Sequence, residues 1–482
     1  MMLKKVLKCI MEQQQFINKK QLSNYLQTLD LPSPENDYLA LDNIEQIILS
    51  PADLQLVDSS TCICSVMIYI RTMEGWICNP QLLVYSIINS RAIQVRGGMI
   101  WQPPPFEISE IVAKVKFLPD SLRTYILCHL IIQFQHQVDQ LIFRLNPCLS
   151  IHRISFNDEE LHLIYRDNLN GVLIVAPPSK IPNNKCGVLS VQYSGKPALQ
   201  NHSHIGSASA IIWNEDGLFP SLNYIPQVRC KYRITYFHPL NLCVCASGKL
   251  QSKLVLQNKA ATTYFSLTPT HIGGLYIGEY SCCTFEVKKI KVRIYYMNYD
   301  QDNLAIIKDR IISCLLYYCN LFGVMPYQEL QFCIDSLAMT ISNTQSNVVC
   351  LSEISIETIS HELAHLWWGS YFTCVGPGWR WFHEAFAEFF SRCFCQGISN
   401  TCSSSLSNES YKRTLIRLLK SSYIGQADSD YDAMIHPIVE LVNTIGYETF
   451  VAKCRNMLAS YQQLPLHEII KNLELNVPWE IR

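Results

Sequence analysis

The sequence predicts an α+β, multidomain chain: an N-terminal antiparallel β-sandwich-like domain, then a domain of helices around a short sheet. Three observations predict it. From about Leu54 to Tyr296 the chain runs in short β-branched and aromatic segments separated by turn dipeptides, such as IYIRTMEGW, VLSVQYSGKP, YRITYF and KVRIYYM, a spacing that marks a sandwich or barrel-like domain. After Asp300 the apolar residues recur at helical spacing. The 482 residues exceed what one compact core accommodates and fit two or three domains.

Taken in order, residues 1–50 show helical periodicity at Leu22, Tyr25, Leu26 and Leu29, broken at Pro32 and Pro34, and read as a small helical N-terminal extension. Residues 51–295 form the β-rich domain. Residues 296–482 form the second domain, opening with AIIKDRIISCLLYYCNLFG, whose Gly323 is placed to end the helix. Two short strands follow, in LQFCID and NVVCLS, and then further helices. There is no internal repeat and no low-complexity segment.

With 49% hydrophobic and 16% charged residues, the chain is an ordinary globular protein. A formal charge of −1 provides no field to gather nucleic acid or an anionic membrane. Lys4, Lys5 and Lys8 precede MEQQQFINKKQ rather than an apolar run, so no export signal is expected. The segment YILCHLIIQF is too short and too interrupted to cross a bilayer. A cytoplasmic protein with neither nucleic-acid nor membrane partners is the expectation. Cysteine is abundant, at 21 residues, and falls in close pairs such as Cys62/Cys64 and Cys243/Cys245. These fit either a secreted disulfide framework or reduced thiols used as small core residues, and a reducing compartment favours the second.

The chemistry centres on IETISHELAHLWWGS. His361 and His365, four residues apart, share one helical face about 6 Å apart along the axis, which suits two ligands of one tetrahedral zinc ion. Glu362 sits beside the first histidine, where it can reach water next to the ion without coordinating, as a general base must. In the following aromatic segment, WRWFHEAFAEFFSRCFC, Glu384 is separated from His365 by 18 intervening residues, room for a loop through Gly376-Pro377-Gly378 and a return helix. A carboxylate there can be a third ligand and leave a fourth position open, the mark of a catalytic site. Glu388, one turn later, is either a hydrogen-bond partner for a ligating imidazole or a solvated helix charge.

HELAH, the 18-residue gap, HEAFAE and Trp367-Trp368-Gly369 resemble the gluzincin aminopeptidases of the aminopeptidase N and leukotriene hydrolase type, whose pattern is HExxH, 18 residues and NEGFA. Weaker likenesses run in the same order: Tyr193-Ser-Gly-Lys-Pro197, Gly217-Leu-Phe-Pro-Ser221, Ala246-Ser-Gly-Lys-Leu250, and Tyr431-Asp-Ala-Met before Ile445-Gly446. The resemblance implies a thermolysin-like catalytic domain after the β domain. It also implies one zinc ion held by His361, His365 and Glu384, with Glu362 as general base and Tyr431 as hydrogen-bond donor to the oxyanion.

The implied activity is that of an aminopeptidase-like zinc metallopeptidase, hydrolysing peptides or small proteins; the alternative is a non-catalytic peptide-binding or scaffold protein on the same fold. The family carries Gly-x-Met-Glu-Asn, whose glutamate grips the substrate amino terminus, whereas residues 336–350 here hold no acidic residue. A substrate ammonium then has no anionic partner from that strand, and exopeptidase specificity is not implied. Val348 to Leu351 is expected to offer an edge for pairing with an extended peptide. The short interval to Tyr431, with no helical roof expected after the catalytic domain, implies an open cleft.

Overall fold

The computed structural model describes residues 106–475, apart from residues 119–122, 136, 139–140, 167–170, 178–180, 183, 199–202, 206–208, 214–215, 223–228, 298–300, 324, 336–340, 376–378 and 402–430, together with the backbone of five strands between residues 16 and 96. Those five, Phe16–Ile17, Ile44–Leu56, Thr61–Thr72, Gly75–Ser86 and Arg91–Arg96, form an antiparallel sheet in sequence order. The helical periodicity expected at Leu22 to Leu29 lies outside the described residues. Within residues 1–50 the described parts are strand instead, because the β-branched run around Ile47 pairs with the following hairpin arm.

The largest sheet has eight strands, from Glu159–Glu160 at one edge through Cys186–Gly195, Arg123–Phe134 and Phe106–Leu118 to Lys249–Leu256 at the other. The segment YILCHLIIQF lies in one of them and alternates buried and less buried residues, the pattern of a strand with one face on a core. One pairing, Phe106–Leu118 with Arg229–Pro239, is parallel; its neighbours are antiparallel. This sheet packs with a three-stranded and a four-stranded sheet around a core running from Phe106 to Ile277. Tyr193 donates a hydrogen bond to Leu218 O at 2.8 Å, so the first two of the weaker sequence landmarks are joined inside this core.

A second core begins at Val287. Its five-stranded mixed sheet is ordered Ser281–Val287, Ile290–Tyr296, Glu329–Ile334, Val348–Leu351, Asn343–Gln345. Val348–Leu351 is therefore not an edge strand, contrary to expectation. Ser346, at φ 59°, turns the chain so that Asn343–Gln345 folds back antiparallel and becomes the outermost strand. Around this sheet stand helices Gln301–Phe322, Ile356–Ala364, Trp379–Gln396, Tyr431–Ile445, Tyr447–Ser460 and Leu466–Leu473. The first ends where Gly323 takes φ 72°, a left-handed conformation that glycine adopts without the Cβ penalty.

Aromatic rings fill the space between the helices. Trp368 stacks on Phe390, and Phe390 stacks on Phe450, at 5.7 and 5.9 Å between centroids. The described cysteines are free thiols, and Cys128, Cys230, Cys314, Cys374 and Cys454 are buried with the apolar residues. No helix among the described residues is long and apolar enough to cross a membrane.

The two cores meet through a small buried cluster, in which Ile211, Trp213 and Cys245 pack with Cys333, Val348 and Cys350, and through polar groups beside it. Gly248, in the third landmark, donates its N–H to Asn347 Oδ1, while its carbonyl accepts from Asn347 Nδ2 and Gln331 Nε2. A side chain at Gly248 would stand 2.8 Å from Phe265 O, and φ is 98°, so only glycine fits the turn. Arg229, on the large sheet, donates to Ser370 O and Tyr371 O just beyond the histidine helix.

Candidate metal centre

Helix Ile356–Ala364 starts because Ser355, extended at φ −62° and ψ 155°, accepts the Thr358 N–H on its hydroxyl, satisfying one of the donors a helix start leaves unpaired. Ile359, Leu363 and Ala364 are buried in the second core, which turns His361 and His365 toward helix Trp379–Gln396. That helix runs antiparallel: Ser391 reaches Glu357 O, Glu388 reaches His361, and Glu384 lies between the two histidines. The chain can leave the first helix so tightly because Gly369, at φ 129°, lets the His383 ring approach; a Cβ there would meet His383 Cγ at 3.3 Å.

One ligand atom each from His361, His365 and Glu384 fall within 4.8 Å of one another. The separations are 3.1 Å between the two Nε2 atoms, and 3.5 and 3.8 Å from them to Glu384 Oε2. Ligands about 2.0–2.1 Å from a tetrahedral zinc stand roughly 3.3 Å apart, so the spacing fits that ion. The tautomers fit as well. His361 Nδ1 donates to Glu388 Oε2 at 2.9 Å and His365 Nδ1 donates to Trp368 O at 3.1 Å. As neutral imidazoles they turn two Nε2 lone pairs toward each other, an arrangement that needs a proton or a cation between them.

The charges agree. Burial opposes charge on His361, but Glu384 and Glu388 outweigh it and raise its pKa to about 10. Burial also pushes the Glu384 carboxyl upward, and His365 and His361 more than reverse this, holding it well below the usual range. These groups together favour a cation. Glu362 is different: burial dominates, and its pKa is raised despite both histidines and Thr344. Thr344, on the outer strand, offers its hydroxyl to Glu362 Oε2 at 2.8 Å and to Glu362 O at 2.7 Å.

Tyr431 opens its helix and meets the His361 ring edge-on, 5.8 Å between centroids. Burial and the nearby Glu384 raise its phenol above the ordinary value, so it remains a protonated donor. His383, preceding Glu384, accepts the Cys374 N–H on Nε2, and burial lowers its pKa to about 3. All these groups line one cavity of about 580 Å³, bounded also by Trp213, Asn343, Gln345, Trp379 and Arg380.

The six residues singled out in the sequence thus converge on this cavity. Those lining it that sequence reasoning missed include Thr344, His383 and Arg392. Arg392 had a readable signal, four residues after Glu388 on the same helix. Thr344 had none, since only the hairpin turn brings it beside Glu362.

A multi-sheet α+β fold with two imidazoles and a carboxylate converging from neighbouring helices defines a class: a scaffold that carries a candidate metal centre between two helices. No protein-family model matches the chain. A segment matches aminopeptidase N of Mus musculus at 27% identity over 143 residues, 29% of this chain and 14% of that protein. Among solved structures, a mutant M1 zinc metallopeptidase from Deinococcus radiodurans bound to a Tyr-Ser-Ala substrate superposes with TM-score 0.64 at 12% identity, over 78% of this chain and 91% of that one. A two-domain M1 zinc metallopeptidase mutant bound to L-tryptophan gives 0.63 at 12% identity, over 80% and 94%. The chain thus shares its fold with M1 zinc metallopeptidases and is similar in sequence to aminopeptidase N over the 143 matched residues, a small part of that protein's length.

Proposed function

We propose that the protein is a zinc-dependent metallopeptidase with one zinc ion held by His361, His365 and Glu384. The observation that carries this reading is the pair of opposed Nε2 lone pairs, 3.1 Å apart, with each Nδ1 already committed to an acceptor. Zinc, when bound, supplies Lewis acidity that lowers the pKa of water and polarises a carbonyl. Glu362, buried and hydrogen-bonded, takes the proton of the attacking water and delivers it to the leaving amine; its raised pKa suits both steps. Tyr431 donates a hydrogen bond to the oxygen that gains charge. Glu388 fixes the tautomer and orientation of His361.

The substrate class is a peptide or small protein laid along Asn343–Gln345, the outer strand lining the cavity. This strand presents an amide, a hydroxyl and an amide, so it offers no carboxylate to a substrate ammonium. N-blocked peptides are accordingly accepted as readily as free ones. The reading also divides the chain into a β-rich N-terminal domain and a thermolysin-like catalytic domain. The pairing of Ile290–Tyr296 with Glu329–Ile334 supports a boundary just before residue 281 rather than at 295.

The test is zinc content together with turnover of free-amino and N-blocked fluorogenic peptides, for wild type and Glu362→Gln. The substitution keeps the metal and lowers turnover by about two to four orders of magnitude, the range for general acid–base catalysis. Equal turnover removes Glu362 from its role. Purified protein that binds no zinc leaves the non-catalytic peptide-binding reading in its place.

A further inference from the structure

Arg392 stands between two carboxylates on different helices. Its Nε donates to Glu388 Oε1 at 2.6 Å, one turn back on its own helix, and a terminal nitrogen donates to Asp432 Oδ1. The other oxygen of Glu388 accepts from His361 Nδ1. Asp432 is the second residue of helix Tyr431–Ile445, whose first residue packs against the same His361 ring. A continuous chain of charge-assisted hydrogen bonds therefore leaves His361, passes through Glu388, Arg392 and Asp432, and ends one residue from a phenol in contact with its starting point.

We propose that Arg392 is a positioning residue, which sets the phenol of Tyr431 against the metal-ligand cluster and holds Glu388 in register with His361. The inference rests on the proposed role of Tyr431. The Tyr431 helix is also tied to helix Trp379–Gln396 by Trp381 Nε1 donating to Met434 O at 3.0 Å. That bond and the burial of Ala433 and Ile435 seat the helix on the core; the contact at Asp432 adds a defined direction beside residue 431, which is only partly buried. The planar guanidinium suits this task because its fork serves two carboxylates in defined directions, which a lysine ammonium does not do. Asp432 is 49% exposed on its side chain, so the Arg392–Asp432 pair contributes little to stability. Its effect is geometric.

The experiment uses the zinc-loaded full chain and measures kcat and KM on a peptide, and zinc affinity by chelator competition, for Asp432→Asn, Asp432→Glu, Arg392→Lys, Tyr431→Phe and the Asp432→Asn/Tyr431→Phe double variant. Asp432→Asn lowers kcat about tenfold with KM and zinc affinity unchanged, and Arg392→Lys also weakens zinc about tenfold, as loss of a ligand's supporting hydrogen bond does. Asp432→Glu recovers much of the lost kcat. In the Tyr431→Phe background Asp432→Asn costs nothing further, since the phenol it places is gone. Additive losses in the double variant, or a loss in KM rather than kcat, overturn the inference while leaving the metallopeptidase reading intact. A Tyr431→Phe variant as active as wild type removes the role of Tyr431 and this inference with it. If zinc binds but no peptide is cleaved, the functional reading fails, and unchanged zinc affinity in Arg392→Lys then overturns the Glu388 arm separately.

Discussion

Thr344 carries one hydroxyl proton and faces two acceptors, the carboxylate and the backbone oxygen of Glu362. Whichever it serves, the hydroxyl restricts Glu362 to one rotamer beside the histidines, and the barrier to reaction is sensitive to misplacement of a base by a fraction of an ångström. Thr344→Val retains shape but loses the donor, so kcat is expected to fall about tenfold with zinc content unchanged, while Thr344→Ser stays near wild type. Steady-state kinetics beside metal analysis decides it, and a valine variant with normal kcat removes the role. The same logic at Tyr431 predicts a larger effect: Tyr431→Phe is expected to lower kcat about 10²-fold, the cost of losing one oxyanion donor.

At the scale of elements, the exit from the histidine helix is a constrained turn beside the site. Gly369 combines φ 129° with a His383 ring 3.3 Å from where a Cβ would sit and a His365 Nδ1 at 3.6 Å. Gly369→Ala is expected to destabilise the fold by about 1–3 kcal/mol and to weaken zinc binding by displacing His365; urea unfolding and chelator competition measure the two effects. That helix and the aromatic helix were both legible in the sequence. Each is a local pattern: HELAH fixes a face by its own spacing, and Glu384 follows from the length of one turn, a loop and a return. What was not legible depends on partners distant in the chain. Val348–Leu351 reads as a strand, but its place inside the sheet is decided by a left-handed Ser346 that ordinary propensity does not announce. For Arg392 the spacing to Glu388 is local, but its second partner, Asp432, lies 40 residues on and is brought beside it only by the fold.

The two cores respond to different chemistry. His238, on the large sheet, is 1% exposed; Nδ1 donates to Pro239 O and Nε2 accepts from Thr262. Burial, the largest cause, lowers its pKa below the ordinary value. Because the folded pKa is depressed, the unfolded chain takes up the proton first. Its stability contribution is therefore complete above about pH 6.5 and is lost as pH falls from there toward the folded value. His238→Gln is expected to show a flatter loss of stability than wild type between about pH 7.5 and about pH 5.5, measured by urea unfolding; parallel pH profiles sink that expectation. The second core is expected to answer to metal. His361 and His365 come from one helix and Glu384 from its neighbour, both packed in the core that begins at Val287, so an ion there links two elements that must separate on unfolding. A ligand bound only to the folded state at about a hundred times its dissociation constant adds about 2.7 kcal/mol. For a unit of this size that corresponds to a melting-temperature rise of about 5–10 °C. Removing zinc with a chelator is expected to lower the transition by that amount, and adding zinc back to restore it. Glu384→Ala, lacking the bridge between the helices, is expected to melt at a temperature indifferent to chelator. The joint between the cores, polar at Gly248, Gln331 and Asn347 and apolar where Trp213 and Cys245 meet Val348 and Cys350, decides whether the β core follows: if the joint holds, fluorescence and far-ultraviolet dichroism shift together on chelation. A wild-type transition that ignores the chelator contradicts the linkage outright.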